Sequence, residues 1–182
     1  MRVTSGEHKG RRISAGGKTR IRPTSDRAKE SIFDTLRGEI EGKRVLDLFS
    51  GAGSLGIEAL SQGAFSVTFV DSSTQSINIL KRNLENLKLK DQSSILHLDG
   101  LKAFSRLESG YQIIFADPPY LKGFAQKVVD KAAVSGVFEI GGILVLERHK
   151  KENLIFPQDK LILLKERKFG DTLISFFLKR SP

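Results

Sequence analysis

From residue 44 onward, short runs rich in β-branched and aromatic residues alternate with longer segments of helical periodicity. This alternation constrains the fold most, because strand-helix-strand units pair their strands in parallel and cover both faces of the sheet with helices. Strands are predicted over residues 44–49, 66–71, 94–98, 112–116 and 142–147, and helices over residues 54–62, 74–87, 101–107 and 124–135. The sequence therefore predicts an α/β fold with a mostly parallel, doubly wound, Rossmann-like sheet.

The two ends of the chain depart from this alternation. Near the C-terminus, two β-rich runs flank residues 169–171 with no helix between them, which predicts a terminal antiparallel hairpin. At the N-terminus, MRVTSGEHKGRRIS predicts a second, small β-hairpin. A helix is expected over residues 26–36, with Thr24 or Ser25 as its N-cap.

The composition narrows the class of partner. The net charge is +9 and the pI is near 9.9, and the first 30 residues hold nine basic and three acidic side chains, which indicates a polyanion such as nucleic acid. There is no cysteine and the three histidines lie far apart, so we predict no metal site. No apolar run is long enough to span a bilayer or to form the core of a signal peptide, so we expect a cytoplasmic protein with no membrane partner.

The segment VLDLFSGAGSLGIEAL places glycines 51, 53 and 56 in G-x-G-x-x-G spacing between a strand and a helix. Such a loop lets the backbone approach a ligand closely, and Asp71, 20 residues after the first glycine, can accept hydrogen bonds from a ribose. A nicotinamide-dependent oxidoreductase and an enzyme with another adenosine-containing cofactor both fit. Asp47, just before the loop, suits a cationic ligand such as S-adenosylmethionine better than a pyrophosphate.

The fourth predicted strand ends in the sequence ADPPY. An exocyclic base amine is a poor nucleophile, and acceptors that converge on its N–H groups localise the lone pair and stabilise the developing charge. The Asp117 carboxylate and the Pro118 carbonyl would be such acceptors, and Pro118 and Pro119 would fix them in one geometry. Tyr120 would present a ring on which a flipped-out base can stack. We therefore assign these four residues to catalysis.

Taken together, DLFSGAGSLGIEAL and DPPY are similar to the class I S-adenosylmethionine-dependent methyltransferases. With GRRI, RPTSDRAKESIFDTL and the FGDT hairpin in this order, the chain resembles the RsmD family over nearly its whole length. That family methylates the exocyclic N2 of a guanine in small-subunit (16S) ribosomal RNA. The resemblance implies S-adenosyl-L-methionine as cofactor and, as partner of a monomeric enzyme, 16S rRNA in the small ribosomal subunit or in its assembly intermediate.

The resemblance also implies roles for individual residues. The loop would hold the methionine part of the cofactor, Asp47 would lie near its amino group, Asp71 would bind the ribose hydroxyls and Asp99 the adenine amino group. Alternatively, Asp71 and Asp99 could only cap the helices that follow them. The implied cofactor-binding residues are Asp47, Phe49, Ser50, Gly51, Gly53, Asp71 and Asp99.

The same resemblance divides the chain into a basic RNA-binding extension, residues 1–24, and a methyltransferase domain, residues 25–182. The residues expected to contact RNA are Arg11, Arg12, Arg22, Thr24 and Arg27. Residues 147–149 are interpreted as a solvent-facing strand end with no catalytic role. An adenine-N6 methyltransferase, an oxidoreductase and a catalytically silent RNA-binding module remain open alternatives.

Overall fold

The computed structural model describes residues 1–15 and 26–181 of the chain. Its strands are β1 (Arg44–Leu48), β2 (Ser66–Asp71), β3 (Ser93–His97), β4 (Tyr111–Ala116), β5 (Phe138–His149), β6 (Leu161–Phe169) and β7 (Thr172–Lys179). Its α-helices are α1 (Asp26–Thr35), α2 (Ser54–Ser61), α3 (Thr74–Leu87), α4 (Gly100–Ala103) and α5 (Phe124–Val134), and a 3₁₀ turn spans Lys90–Gln92. The predicted N-cap residues of α1 lie outside the described residues.

All seven strands form one sheet in the order β3-β2-β1-β4-β5-β7-β6. The first five strands pair in parallel, and β7 runs antiparallel to both β5 and β6. The predicted fold class, including the antiparallel hairpin at the end, is confirmed. Because β1 lies between β2 and β4, the strand order reverses there, which opens a crevice at the carboxyl ends of the strands.

Two apolar layers cover the sheet. On one face, α1, α2 and α3 contribute residues such as Phe33, Ile57 and Leu80 to a buried cluster. On the other face, α4 and α5 contribute residues such as Ala103 and Val128. The central strands are buried on both sides, which explains why the sequence shows them as nearly continuous apolar runs.

Two element boundaries differ from the predicted ones by more than two residues. Helix α4 has a single turn, because the residues after Ala103 continue as i→i+3 turns: Arg106 N–H donates to the carbonyl of Ala103. Strand β5 begins four residues early, at Phe138, which pairs with Tyr111 across a register shift. The glycine pair at residues 141–142 hides this start, because glycine is unfavourable inside a strand.

The N-terminal segment packs into the α/β core. Its two arms meet at an antiparallel bridge between Arg2 and Arg12, so the predicted hairpin is present with much shorter pairing than two strands. Val3 and Ile13 are buried in the same cluster as α1 and α2. The segment is therefore fastened to the domain on its apolar side.

A buried ion pair fastens the same segment. Lys29 Nζ lies 2.9 Å from Glu58 Oε2, and both side chains are fully buried. Lys29 also donates to the carbonyl of Arg2, and Glu58 accepts from the N–H groups of Thr4 and Ser5. Burial by itself would raise the pKa of Glu58, but the Thr4 hydrogen bonds and the Lys29 charge hold it below its ordinary value. Charges on α1 and α2 thus anchor the first five residues.

Candidate active site

A cavity of about 430 Å³ opens at the carboxyl edge of the sheet, above the point where the strand order reverses. Its volume is in the range of small-molecule sites. The cavity is lined by Phe49, Gly51, Asp71, Ser72, Ser76, Asp117, Pro118, Pro119, Tyr120 and Glu147. Both sequence motifs, the glycine loop and DPPY, therefore meet in one site.

Asp71 fastens the glycine loop to the next helix. Its Oδ2 accepts from Gly51 N–H at 2.8 Å, and its Oδ1 accepts from Ser73 N–H at 2.8 Å. Ser73, in turn, is the N-cap of α3. Each carboxylate oxygen keeps a further lone pair, so Asp71 can hold the loop and still accept hydrogen bonds from a ligand in the cavity.

Close approach of the backbone explains two of the glycines. At Gly53, with φ 83°, a Cβ would lie 2.4 Å from Leu80 Cδ1. At Gly56, a Cβ would lie 2.3 Å from Phe69 Cε1. The loop and α2 can thus pack directly on β2 and α3 only with glycine at these positions, while Gly51 lines the cavity itself.

Asp47 is 3% exposed, and its Oδ2 accepts from Gly56 N–H at 2.9 Å. Burial raises the pKa of Asp47 to about 7, although the Gly56 hydrogen bond acts in the opposite direction. Asp47 does not belong to the described lining of the cavity. The contact recorded for its carboxylate is with the start of α2, and its role near a cofactor amino group stays a prediction.

The loop between β1 and α2 contains buried polar atoms and a strained residue. In the described part of the chain, Ser50 Oγ and Ser54 Oγ are buried without a hydrogen-bond partner. Phe49 has φ 57°, which is uncommon for a residue with a bulky side chain, and its ring covers Gly100 so closely that a Cβ there would lie 2.8 Å away. Orphaned hydroxyls beside a glycine loop fit a polar ligand that completes them.

Asp99 is the N-cap of α4, and its Oδ1 accepts from Leu101 N–H at 2.9 Å. This is the capping role that the sequence left open beside adenine binding. Asp99 is not among the residues recorded along the cavity. Adenine binding by Asp99 stays a prediction.

On the other side of the cavity, the chain after β4 turns sharply through the two prolines. Pro118 is buried, whereas Asp117 and Tyr120 are half-buried and face the cavity. Tyr120 Oη donates to Glu147 Oε1 at 2.5 Å and lies 3.1 Å from Thr172 Oγ1. Because the tyrosine has one proton and gives it to the carboxylate, the Thr172 hydroxyl donates to the tyrosine oxygen. Burial, and then the Glu147 charge, raise the pKa of Tyr120, so the phenol stays protonated.

The interpretation of residues 147–149 as a solvent-facing strand end is wrong. Glu147 and Arg148 are each 7% exposed, and Glu147 lines the cavity. Arg148 points to the opposite side of the sheet, where it pairs with Glu166 at 2.6 Å. The His149 ring contacts Tyr120 edge-on, with 6.0 Å between centroids. The available signal was an acid directly after the apolar run ILVL, at the carboxyl end of a predicted parallel strand.

The predicted RNA-contacting residues are only partly described. Arg11, Arg12 and Arg27 are exposed, and Arg22 and Thr24 lie outside the described residues. The Arg11 guanidinium donates to the carbonyl of Asn86 in the last turn of α3, about 15 Å along that helix from the cavity. RNA contact by these residues stays a prediction.

The described residues contain neither a candidate metal site nor a candidate membrane-spanning helix. No cluster of three or more His, Cys, Asp or Glu side chains there could hold a metal ion. None of the described helices is long and apolar enough to cross a membrane.

Comparison with known proteins identifies the family. The family model described as "Conserved hypothetical protein 95" matches residues 1–178. Among curated relatives, the Bacillus subtilis protein named "Putative rRNA methyltransferase YlbH" is 36% identical over 99% of this chain and 100% of its own. The Haemophilus influenzae protein named "Ribosomal RNA small subunit methyltransferase D" is 31% identical over 93% of this chain and 89% of its own.

Solved structures agree on the fold. A Haemophilus influenzae structure titled as a putative methylase is 28% identical, with a TM-score of 0.84, and covers 99% of this chain and 98% of its own. An Escherichia coli structure titled as a putative methyltransferase has a TM-score of 0.89 at 24% identity, over 100% of this chain and 99% of its own. Sequence and fold together show that this chain belongs to the Conserved hypothetical protein 95 family, which is the RsmD family that its motifs resemble.

Proposed function

We propose that the protein transfers a methyl group from S-adenosyl-L-methionine to the exocyclic N2 of a guanine in 16S rRNA of the small ribosomal subunit or of its assembly intermediate. The observation that carries this proposal is the shared cavity, in which the glycine-loop residues Gly51 and Asp71 face Asp117 and Tyr120 in a chain of the RsmD family. The curated relatives named as small-subunit rRNA methyltransferases support the choice of RNA.

The glycine-loop half of the cavity fits the cofactor. When bound there, the cofactor supplies a methyl group on a cationic sulfonium. Asp71 can accept hydrogen bonds from the ribose hydroxyls with the lone pairs that Gly51 and Ser73 leave unused. The buried Ser50 and Ser54 hydroxyls would gain partners from the polar part of the ligand. The cofactor's positive charge also suits a site with several carboxylates.

The DPPY half acts on the amine. The Asp117 carboxylate and the Pro118 carbonyl accept the amine N–H groups, which turns the nitrogen lone pair toward the methyl donor and stabilises the charge that develops on nitrogen. The two prolines hold these acceptors in place before the base arrives, so little reorganisation is needed during the reaction. The clamp therefore acts by positioning and electrostatics.

Tyr120 holds the base plane. A base that leaves the RNA stack can lie on its ring, and such stacking contributes about 1–3 kcal/mol per base. The hydroxyl does not need to touch the base, because it is bonded to Glu147 and Thr172. These two hydrogen bonds fix the ring in one orientation.

The basic N-terminal segment supplies phosphate contacts in this proposal. Arg11, Arg12 and Arg27 present exposed guanidinium groups, and the whole chain has a net charge of +9. Binding to ribosomal RNA should weaken steeply as salt rises, because each neutralised phosphate releases counterions.

The test is labelled methyl transfer to small subunits and to naked 16S rRNA that both lack the modification, followed by nucleoside analysis. We expect N2-methylguanosine at one position. The finding of N6-methyladenosine would select the adenine-N6 alternative, for which the same clamp is suited. Stabilisation by a nicotinamide cofactor instead of S-adenosylmethionine would indicate an oxidoreductase, and RNA binding with no cofactor binding would indicate a non-catalytic module.

A further inference from the structure

Two carboxylates, not one, line the base side of the cavity. Asp117 directly follows β4. Glu147 is the third residue from the C-terminal end of β5, which is the next strand in the sheet. Glu147 is 7% exposed, and the Tyr120 hydroxyl holds its Oε1 at 2.5 Å. Glu147 therefore places a second hydrogen-bonded carboxylate on this side of the cavity, and the amine clamp described above does not use it.

The strand order fixes where Glu147 lies relative to the other groups. From β2 to β5, the sheet carries in turn Asp71, the loop after β1, the DPPY turn and Glu147. Asp117 thus lies between the cofactor half of the cavity and Glu147. A base whose amine is held by Asp117 can therefore be oriented in this cavity with one edge of its ring toward Glu147.

The atoms beside the amine differ between guanine and adenine, and they decide which nucleobase suits a second hydrogen-bond acceptor. The N2 amine of guanine lies between N3, which has a lone pair, and the N1–H donor, which lies on the Watson–Crick edge that a flipped base presents. Beside its N6 amine, adenine carries an unprotonated N1, which has a lone pair and would face the carboxylate unfavourably. A carboxylate accepts hydrogen bonds and, while ionised, cannot donate one.

We propose that Glu147 is a specificity-determining residue that accepts the N1–H of the target guanine and so selects guanine over bases whose ring nitrogen beside the amine is unprotonated. This inference rests on the proposed guanine-N2 methyl transfer. An ionised carboxylate has two oxygens and about four lone-pair sites, so Glu147 has the capacity to accept from Tyr120 and from a base in the same complex.

The competing explanation is that Glu147 only positions Tyr120. The two roles differ in what they discriminate. Replacement of a positioning residue changes the rate equally for every base that stacks on Tyr120. Replacement of an N1–H acceptor changes the preference between bases that have an N1 proton and bases that lack it. 2-Aminopurine is a suitable probe, because it keeps the 2-amino group and has an unprotonated N1.

The experiment uses the full-length protein and 16S rRNA substrates in which the nucleotide that it methylates is either guanine or 2-aminopurine. The measured quantity is the ratio of kcat/KM for the two substrates. For the wild type we expect guanine to be preferred about 10- to 100-fold. In Glu147→Gln, the amide can donate to an unprotonated N1, so this ratio should fall by about tenfold or more.

Tyr120→Phe is the matched control. It removes the hydroxyl from Glu147 but leaves the carboxylate, so it should slow both substrates alike and keep the ratio. Cofactor affinity and the thermal midpoint of each variant are measured in parallel, since a folded Glu147→Gln enzyme should keep both close to the wild-type values.

Two results would overturn the inference while leaving guanine methylation intact: a wild type that methylates 2-aminopurine as well as guanine, or a Glu147→Gln variant that loses turnover but keeps the full wild-type ratio. The first result does not depend on whether any variant folds. A wild type that transfers no methyl to guanine would instead overturn the proposed function, and this inference with it.

Discussion

The two halves of the cavity are built in different ways. The glycine-loop half is held by main-chain groups: Gly51 and Ser73 donate to Asp71, and Gly56 donates to Asp47. The DPPY half is held by side chains from the turn after β4 and from strands β5 and β7, since Tyr120 is bonded to Glu147 and Thr172. The glycine-loop half can be recognised from a short sequence motif. The DPPY half forms only when the strands of the sheet are correctly paired.

The largest expected effect separates the two halves functionally. Asp117→Ala should lower kcat by about 10²- to 10³-fold, because it removes an acceptor that is pre-organised for the amine. The affinity for S-adenosylmethionine, measured by calorimetry, should stay close to the wild-type value. The mirror variant is Asp71→Ala, which should weaken cofactor binding by about tenfold or more through loss of hydrogen bonds to a charged group. If Asp117→Ala weakened cofactor binding equally, the division into halves would be wrong.

The main-chain half should be sensitive to one added methyl group. Gly56→Ala places a Cβ 2.3 Å from Phe69 Cε1 and 2.9 Å from Asp47 Oδ2, so it should lower the free energy of unfolding by about 1–3 kcal/mol. Chemical denaturation measures this change. Gly136→Ala is the control, because a Cβ there meets nothing within 4 Å. Equal stability of the two variants would show that α2 can shift without cost.

The side-chain half should be sensitive to one hydroxyl. Stacking of a base on Tyr120 needs only the ring. The structure gives the hydroxyl two partners, so we expect Tyr120→Phe to lower kcat/KM about tenfold, by loss of the hydrogen bond to Glu147. Tyr120→Ala should lose more and Thr172→Val less. Wild-type activity in Tyr120→Phe would mean that the hydrogen bonds of the hydroxyl are not needed to orient the ring.

A further prediction concerns pH and the start of α2. Unfolded Asp47 ionises near pH 3.8, whereas the folded carboxyl stays protonated up to about pH 7. The folded state therefore binds the proton more tightly, and this group makes the protein less stable as pH rises through that window. Asp47→Asn removes the titration, so its stability relative to the wild type should increase from pH 4 to pH 7 and then level off in denaturation experiments.

The exposed Asp159 provides the comparison for this pH experiment. Asp159→Asn makes the same carboxylate-to-amide replacement at an exposed position, and its stability is measured at each pH beside that of Asp47→Asn. A pH-independent difference between the wild type and Asp47→Asn would mean that water reaches the Asp47 carboxylate in the folded protein.

Sequence patterns predicted most of the fold because they are local. Strand and helix periods located β2 and α3 to the residue, and the motifs located the glycine loop and the DPPY turn. The Tyr120–Glu147–Thr172 contacts could not be predicted, because they join residues up to 52 positions apart and depend on the register of β5 against β7. The hydrogen bonds of Glu147 were missed for this reason, although its place directly after the apolar run ILVL was a local signal.

The contacts of Asp47 and Asp99 show the opposite difficulty. Both are acids for which the sequence predicts cofactor contacts, and both have a local hydrogen-bond partner that a sequence cannot exclude: Gly56 N–H for Asp47 and Leu101 N–H for Asp99. A carboxylate beside the start of a helix can accept hydrogen bonds from backbone N–H groups or from a ligand. Only the three-dimensional structure shows which backbone groups it already contacts.

The buried Lys29–Glu58 pair has a consequence for synthesis of the chain on a ribosome. Thr4 and Ser5 are made before the carboxylate that binds them, which belongs to residue 58 and is buried only when α2 packs on β1 and β2. The segment that contains them therefore docks only after more than fifty further residues have emerged. Until then, its arginines belong to a loose basic tail in the immediate neighbourhood of ribosomal RNA.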